Sequence, residues 1–405
     1  MLKDIYLKLI EKINPEKLLT NYFARKKQTL PYKYVVAIGK AAIPMVKGFS
    51  QLFSFKKGFV VSPYDGDIPS NCELFVSTHP EISEESFKAA NKLINFLENS
   101  KGNTAILLSG GGSALIEKPL DFLSLKQVSD ASNFLVKSGL PIEDINFFRI
   151  HLSQIKGGGL LNFLKSNAEC FILCDVLGKR IDRVSSAPFL KVKRDFKTFV
   201  EKAEKIGLFS VLGNLREEFL NTNFKVNDFN IPHSIVADNS TVVDIFSSQL
   251  EANGLKPEKY YDFIQKDVET ESKRLFSLLK EFGNNEKTVI VAGGEATVKV
   301  RGRGKGGRTL ELGLRFIKRM IEDKEFLPVD FLFATTDGID GNSDSAGVFV
   351  DSRTLKTIFE NETLFSIDAY LLENNSKAFF EKYNCLLKTG YTGTNLLDIY
   401  SIRKV

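Results

Sequence analysis

The chain has 405 residues, 43% hydrophobic and 26% charged, long enough for two or three domains and too apolar to be disordered or collagenous. Its 55 basic and 50 acidic residues leave a net charge of +5, without the clustered basic excess of a nucleic-acid binder. No apolar run approaches the ~20 residues of a membrane helix, and the charged N-terminus lacks a signal-peptide core. Four scattered cysteines, Cys72, Cys170, Cys174 and Cys385, read as reduced thiols. The expectation is a cytoplasmic protein with neither nucleic acid nor membrane as partner.

The first expected element is a helix, with Ile5, Leu9 and Ile13 at i, i+4 and i+8 and Pro15 as its stop. Six aliphatic or β-branched runs follow: 34–38 before GKAA, 105–108 before SGGGSA, 171–173 before CDVLG, 234–237 before DNST, 289–292 before GGEATV and 331–334 before TTDG. Near-continuous apolar runs suit strands buried on both faces. Helical faces lie between them. One carries Phe87, Ala90, Ile94 and Leu97 after an acidic turn at Glu84 and Glu85; another carries Leu310, Leu314, Ile317 and Ile321. Alternation of this kind predicts an α/β protein of two α/β domains with largely parallel or mixed sheets. An Asn- and Asp-rich stretch at 221–232 places the boundary, giving domains 1–230 (Rossmann-like) and 231–405, the last residues able to pack back on the first.

Ligands in such sheets bind beyond the carboxyl ends of the strands, where the polar loops fall. Ser109, Gly110, Gly111, Gly112, Ser113 and Ala114 offer either a tight turn or, preferably, a nest of backbone N–H groups for an anion. Residues 300–308, VRGRGKGGR, hold four cations and no acid. They are expected between a strand at 296–300 and a helix opening near Thr309, an arrangement suited to a polyphosphate. A solvated loop and a nucleic-acid segment are the weaker readings. The loop from Thr335 to Asp344 is acidic, and its carboxylates can hold Mg²⁺ or accept a hydroxyl proton. Lys40 follows the first strand run but lies in no Walker A motif. Asn146, Arg149, Ser153 and Lys156 share a helical face ending at three glycines, and His151 among them reads as structural.

Six segments then align in order: IGKAA (38–42), LSGGGSALIEKP (108–119), INFFRIHLSQIKGG (145–158), GGEATVKVRGRGKGGR (293–308), TTDGIDGNSDSAG (335–347) and TGTNLLD (392–398). Together they resemble the glycerate 2-kinase family, whose C-terminal half is the MOFRL domain. The resemblance implies two α/β domains around an active-site cleft. It also implies ATP-dependent phosphorylation of the 2-hydroxyl of D-glycerate, with Mg²⁺. By position, Lys40, Arg308, Asp337 and Asn395 match the polar centre, Asp337 serving as Mg²⁺ ligand or proton acceptor. Ser109, Gly110, Gly111, Gly112 and Ser113 match a phosphate or carboxylate cradle. Asn146, Arg149, Lys156, Asp175, Glu295, Lys305 and Asp340 complete the expected set. The chain departs from the family pattern at Lys179 (usually Asp), Ala187 (Gly), Thr309-Leu310 (Asn-Gln) and Tyr391 (Pro). Two other readings are a ligand-binding relative without turnover and a nicotinamide-dependent hydroxypyruvate reductase.

Overall fold

A computed structural model describes residues 1–26, 30–282 and 286–405. It divides into two α/β units, one of Pro15–Val236, the other of Met1–Asn14 with Ala237–Val405.

The first unit is built on β1 (Tyr34–Ile38), β2 (Lys57–Ser62), β3 (Cys72–Val76), β4 (Thr104–Leu108), β5 (Ala168–Leu173) and β6 (His233–Ala237). Their order is β3-β2-β1-β4-β5-β6, and the pairs from β3 to β5 are parallel. The aliphatic runs at β4 and β5 are buried along their whole length, because helices cover both faces of a parallel sheet. Helix Glu84–Asn99 covers one face with Ala89, Ala90, Leu93 and Leu97 against Val36, Ile38 and Ile106. Its N-cap Ser83 forms a capping box with Ser86. Winding reverses between β1 and β4, so the crevice at their carboxyl ends is a topological switch point. Lys40 and the glycine loop that begins at Ser109 emerge there.

The second unit adds β7 (Lys256–Ile264), β8 (Thr288–Gly294), β9 (Val329–Thr335), β10 (Gly347–Val350), β11 (Leu386–Leu387) and β12 (Asp398–Lys404). The order is β11-β10-β9-β12-β8-β7. Only the β7–β8 pair is parallel; the remaining pairs are antiparallel, so this sheet is mixed. The chain's last strand inserts between β8 and β9, antiparallel to both. Its first residue, Asp398, therefore lies opposite Gly294 and Thr335, at the carboxyl ends of its neighbours. Helix Arg308–Glu322 covers this sheet with Leu310, Leu314, Ile317 and Met320.

Three expectations are corrected. The first helix, Leu2–Lys12, belongs to the second unit, not to a domain 1–230: it buries Leu2, Ile5, Tyr6 and Leu9, and the Tyr6 hydroxyl donates to the Thr335 carbonyl at 2.7 Å. The final residues form a central strand of their own unit, and the two units divide at Val236–Ala237, within β6. No strand forms at 296–300, where Thr297 makes a single bridge to Asp267 and Val300 is 72% exposed. None of the four cysteines is in a disulfide, and Cys170, Cys174 and Cys385 are buried. No described helix is long and apolar enough to cross a membrane.

His151 is structural, as its sequence context suggests. It stands 1% exposed among Phe147, Phe196 and Phe199. The Asp195 N–H donates to Nε2 at 2.9 Å, so Nδ1 carries the proton and donates to the Phe147 carbonyl at 2.8 Å. Burial, chiefly, lowers its pKa from 6.5 to about 4. A group whose folded pKa is lowered takes up its proton more readily when unfolded, so this stability is present above pH 6.5 and is lost as pH falls toward 4. The difference in unfolding free energy between wild type and His151→Gln should shrink by about 2 kcal/mol from pH 7 to pH 5 in urea titrations; a pH-independent difference would refute this reading.

Candidate active site

In the first unit the site begins where β1 and β4 end. The Ser109 amide bonds to the Ile38 carbonyl at 2.9 Å, the Lys40 amide to the Gly110 carbonyl at 2.9 Å, and the Ser109 hydroxyl accepts from the Ala41 amide at 3.0 Å. The two turns are thus sewn together. Gly111 has φ +89°, a left-handed conformation suited to glycine. A Cβ there would lie 3.1 Å from Lys40 Cγ and 3.2 Å from His79 Cδ2. A Cβ on Gly110 would collide with the Asp175 carboxylate. Lys40, His79 and Asp175 therefore crowd this turn, and the amides of Gly110 and Gly111 have no acceptor among the described residues. Burial raises the Asp175 pKa to about 6, partly opposed by Lys40.

The loop is clamped from behind by Ser185, Ser186 and Ala187, all three with left-handed φ, from +52° to +57°. That conformation costs a non-glycine residue roughly 1–2 kcal/mol. Runs of it persist where surrounding contacts over-determine them. Ser185 Oγ donates to the Ser109 carbonyl at 2.7 Å and accepts from the Gly112 amide at 2.9 Å. Ser186 Oγ bridges Ser113 Oγ at 2.9 Å and Asn146 Oδ1 at 3.1 Å. Asn146 is thus a support, 8% exposed. Ala187, where the family pattern has glycine, occupies one of these left-handed positions.

Lys156 does not reach this site. It is 1% exposed and ion-paired to the fully buried Glu117, so it is a core residue and not a ligand contact. Arg149 remains at hand, with only a 3.3 Å hydrogen bond from Nη2 to Ser132 Oγ.

The second unit gathers Glu295, Arg308, Asp337, Asp340 and Asn395 at the ends of β8 and β9 and the start of β12. Arg308 donates from Nε and Nη2 to both oxygens of Asp398, at 2.7 and 3.0 Å, and its Nη1 stands 2.6 Å from Glu295 Oε1. Asp398 is completely buried and also receives the Tyr400 hydroxyl at 2.8 Å. Burial opposes the Arg308 charge, but Asp398 and Glu295 outweigh it and raise the pKa. The fork expected to clamp a phosphate is therefore bound to a protein carboxylate. Sequence reasoning did not single out Asp398, although it closes the TGTNLLD segment, since an acid beginning a C-terminal strand carries no site signal until the topology is known.

Asp340 is corrected likewise. At 2% exposure it accepts the amides of Thr309 and Leu310 at 3.2 and 2.9 Å. It supplies the anion that the start of helix Arg308–Glu322 attracts, so that helix end is not open to a polyphosphate. Burial raises its pKa to about 6. The amides of the basic loop are also engaged. Asn374 Oδ1 takes those of Arg301 and Gly302, Glu373 those of Arg303 and Gly304, Asn375 that of Lys305 and Asn342 that of Gly306. A Cβ on Gly302 or Gly304 would strike residues 373–375, so these glycines allow loop-to-turn docking. The charged side chains of Arg301, Arg303 and Lys305 are exposed to solvent.

Asp337 keeps a role open. Its Oδ1 accepts from the Thr335 hydroxyl at 2.9 Å and the Ile339 amide at 3.1 Å, and Oδ2 has no partner among the described residues. Asn395 Oδ1 accepts the Leu397 amide at 3.1 Å, and its amide nitrogen has no partner among the described residues. Among the described residues no group of three or more His, Cys, Asp or Glu side chains could hold a metal ion. A lone carboxylate suits Mg²⁺ held mainly by substrate phosphates and water.

Asp398→Asn should cost about 3–5 kcal/mol of stability, because it removes the buried carboxylate of the pair and leaves Arg308 only the more exposed Glu295. Glu295→Gln, at the more exposed end, should cost at most about 1 kcal/mol. Urea unfolding of both variants checks this; equal small losses would show that Asp398 is not the anchor.

Residues 1–219 match the family described as "Domain of unknown function (DUF4147)", and residues 288–398 match the MOFRL family. A protein of Sulfurisphaera tokodaii named glycerate 2-kinase is 35% identical over 90% of this chain and 88% of its own. A D-glycerate 2-kinase of Thermotoga maritima is 31% identical over 98% of this chain and 96% of its own. The crystal structure of a glycerate kinase from Thermotoga maritima superimposes with a TM-score of 0.85 at 29% identity, covering 100% of this chain and 98% of that one. The ordered motifs, the two sheets and these likenesses agree: the chain belongs to the glycerate 2-kinase family with a C-terminal MOFRL domain.

Proposed function

We propose that this protein transfers the γ-phosphoryl group of ATP to the 2-hydroxyl of D-glycerate, giving 2-phosphoglycerate and ADP. The observation that carries the reading furthest is the pair of unengaged amides at Gly110 and Gly111, beside Lys40 at the switch point of the first sheet. Backbone donors and a cation in a crevice are what a phosphate or carboxylate oxygen needs.

Phosphoryl transfer requires positioning and charge stabilisation more than covalent chemistry. Lys40 and the two amides hold a substrate oxyanion. Asp337, fixed through Oδ1, presents Oδ2 to take the proton of the attacking hydroxyl or to hold Mg²⁺. When bound there with ATP, Mg²⁺ neutralises phosphate charge. Asn395 orients substrate through its free amide, and the exposed Arg303 and Lys305 add attraction for the nucleotide. Arg308 acts by holding the start of its helix on Asp398. The strand order is shared with dinucleotide-binding sheets, but the turn after β1 reads Gly39-Lys40-Ala41-Ala42 and lacks the GxGxxG fingerprint. This argues against the reductase reading.

Phosphorus NMR of a reaction with ATP, Mg²⁺ and D-glycerate should identify 2-phosphoglycerate. Exclusive 3-phosphoglycerate, or no product, would contradict the proposal. Asp337→Asn should lower kcat by at least about tenfold at unchanged melting temperature. A loss within about threefold would remove Asp337 from the mechanism.

A further inference from the structure

His79 follows β3 and precedes helix Glu84–Asn99, half-buried against the glycine loop. A Cβ on Gly111 would lie 3.3 Å from its Nε2 and 3.1 Å from Lys40 Cγ, so the imidazole and the Lys40 stem both crowd this glycine. Neither ring nitrogen has a hydrogen-bond partner among the described residues. The charged groups acting on the ring are Lys40, from the turn after β1, and Arg149, from helix Ile142–Leu152. Arg149 is itself under-engaged: its Nε is buried without a partner, and Glu117, the carboxylate nearest in effect, is paired to Lys156. Lys40 in turn acts on the Asp175 carboxylate, across Gly110. Three groups able to carry positive charge thus converge beside two free amides.

We infer that His79 is a direct ligand of the substrate oxyanion, alongside Lys40 and the Gly110 and Gly111 amides, and that it takes up a proton as that anion binds. The inference rests on the placement of the anion under the proposed function. Burial, then Lys40 and Arg149, hold the empty ring's pKa at about 4. A bound carboxylate or phosphoryl oxygen offsets both cations and supplies an acceptor, which favours the imidazolium. Linkage then makes the anion bind more tightly as pH falls through the bound-state pKa.

The chain has three histidines, so carbon-labelled histidine spectra are simple, and the His79 signal is the one lost in His79→Gln. Its midpoint is followed alone, with saturating D-glycerate, with inorganic phosphate and with ADP, each occupancy checked by calorimetry. The expected result is a rise of at least about one pH unit in one arm, equal to a tenfold change in affinity between the pH limits. A rise with D-glycerate alone assigns the carboxylate; a rise with phosphate and ADP assigns the phosphoryl group. His79→Gln should bind the same anion more weakly than wild type, and without proton uptake at pH 5. An unmoved midpoint in every arm, absence of binding in every arm, or wild-type proton uptake in His79→Gln overturns the inference. An active kinase with an unmoved His79 sinks this inference alone, and a moved His79 without phosphorylated product sinks the kinase reading alone.

Discussion

The buried carboxylate of Asp398 fixes the functional end of the second unit. A fully buried charge requires a partner, and Arg308 supplies it with two parallel hydrogen bonds. One pair therefore joins the end of the basic loop, the start of a helix and the start of the last strand. Asn239 secures the same corner by donating to the carbonyls of Leu396 and Asp398. Thr336 holds Leu396 and Leu397 through its hydroxyl. The neighbouring Asp337 and Asn395 are placed by this scaffold. The first helix adds Tyr6, whose hydroxyl bonds to Thr335 and whose pKa is raised by burial and by Asp337, Asp398 and Asp340.

The two units carry opposite chemistry at their strand ends. The first offers Lys40, His79 and Arg149 with free amides; the second offers Asp337 with a free oxygen. Kinase chemistry needs both kinds: donors where phosphoryl charge lies, and an acceptor or metal ligand where a hydroxyl reacts. The exposed cations of the basic loop add to the first kind, but the loop's backbone is closed. Its glycines answer to the turn at 373–375, whereas Gly110 and Gly111 answer to Asp175, Lys40 and His79.

Much of this was legible in the residues. The six apolar runs are all strands; in five, burial on both faces leaves an uninterrupted aliphatic signature, whereas β6, at the sheet edge, is only part-buried. The turns after β1 and β4 were recognisable because glycine and small residues are needed where backbones meet. Partnerships were not legible. Lys156 and Arg149 lie on one expected helical face, yet one is in a core ion pair and the other is not. Arg308 looks like a ligand for phosphate, and Asp340 like an open carboxylate, until the chain's own acid and amides are found to satisfy them. Such pairings span about 30 to 90 residues, and that of Arg308 with Asp398 depends on β12 entering antiparallel, which a local pattern does not encode. His79 was not singled out as a site residue because a histidine–proline pair by itself carries no spacing to a partner group.

The most direct measurement is a crystal structure of the protein with D-glycerate and a non-hydrolysable ATP analogue bound. The account predicts a substrate oxyanion on the amides of Gly110 and Gly111 with Lys40 beside it, while the amides from Arg301 to Gly306 keep their bonds to residues 342 and 373–375. Phosphate oxygens bound by those loop amides, with the Gly110–Gly111 turn empty, would contradict it.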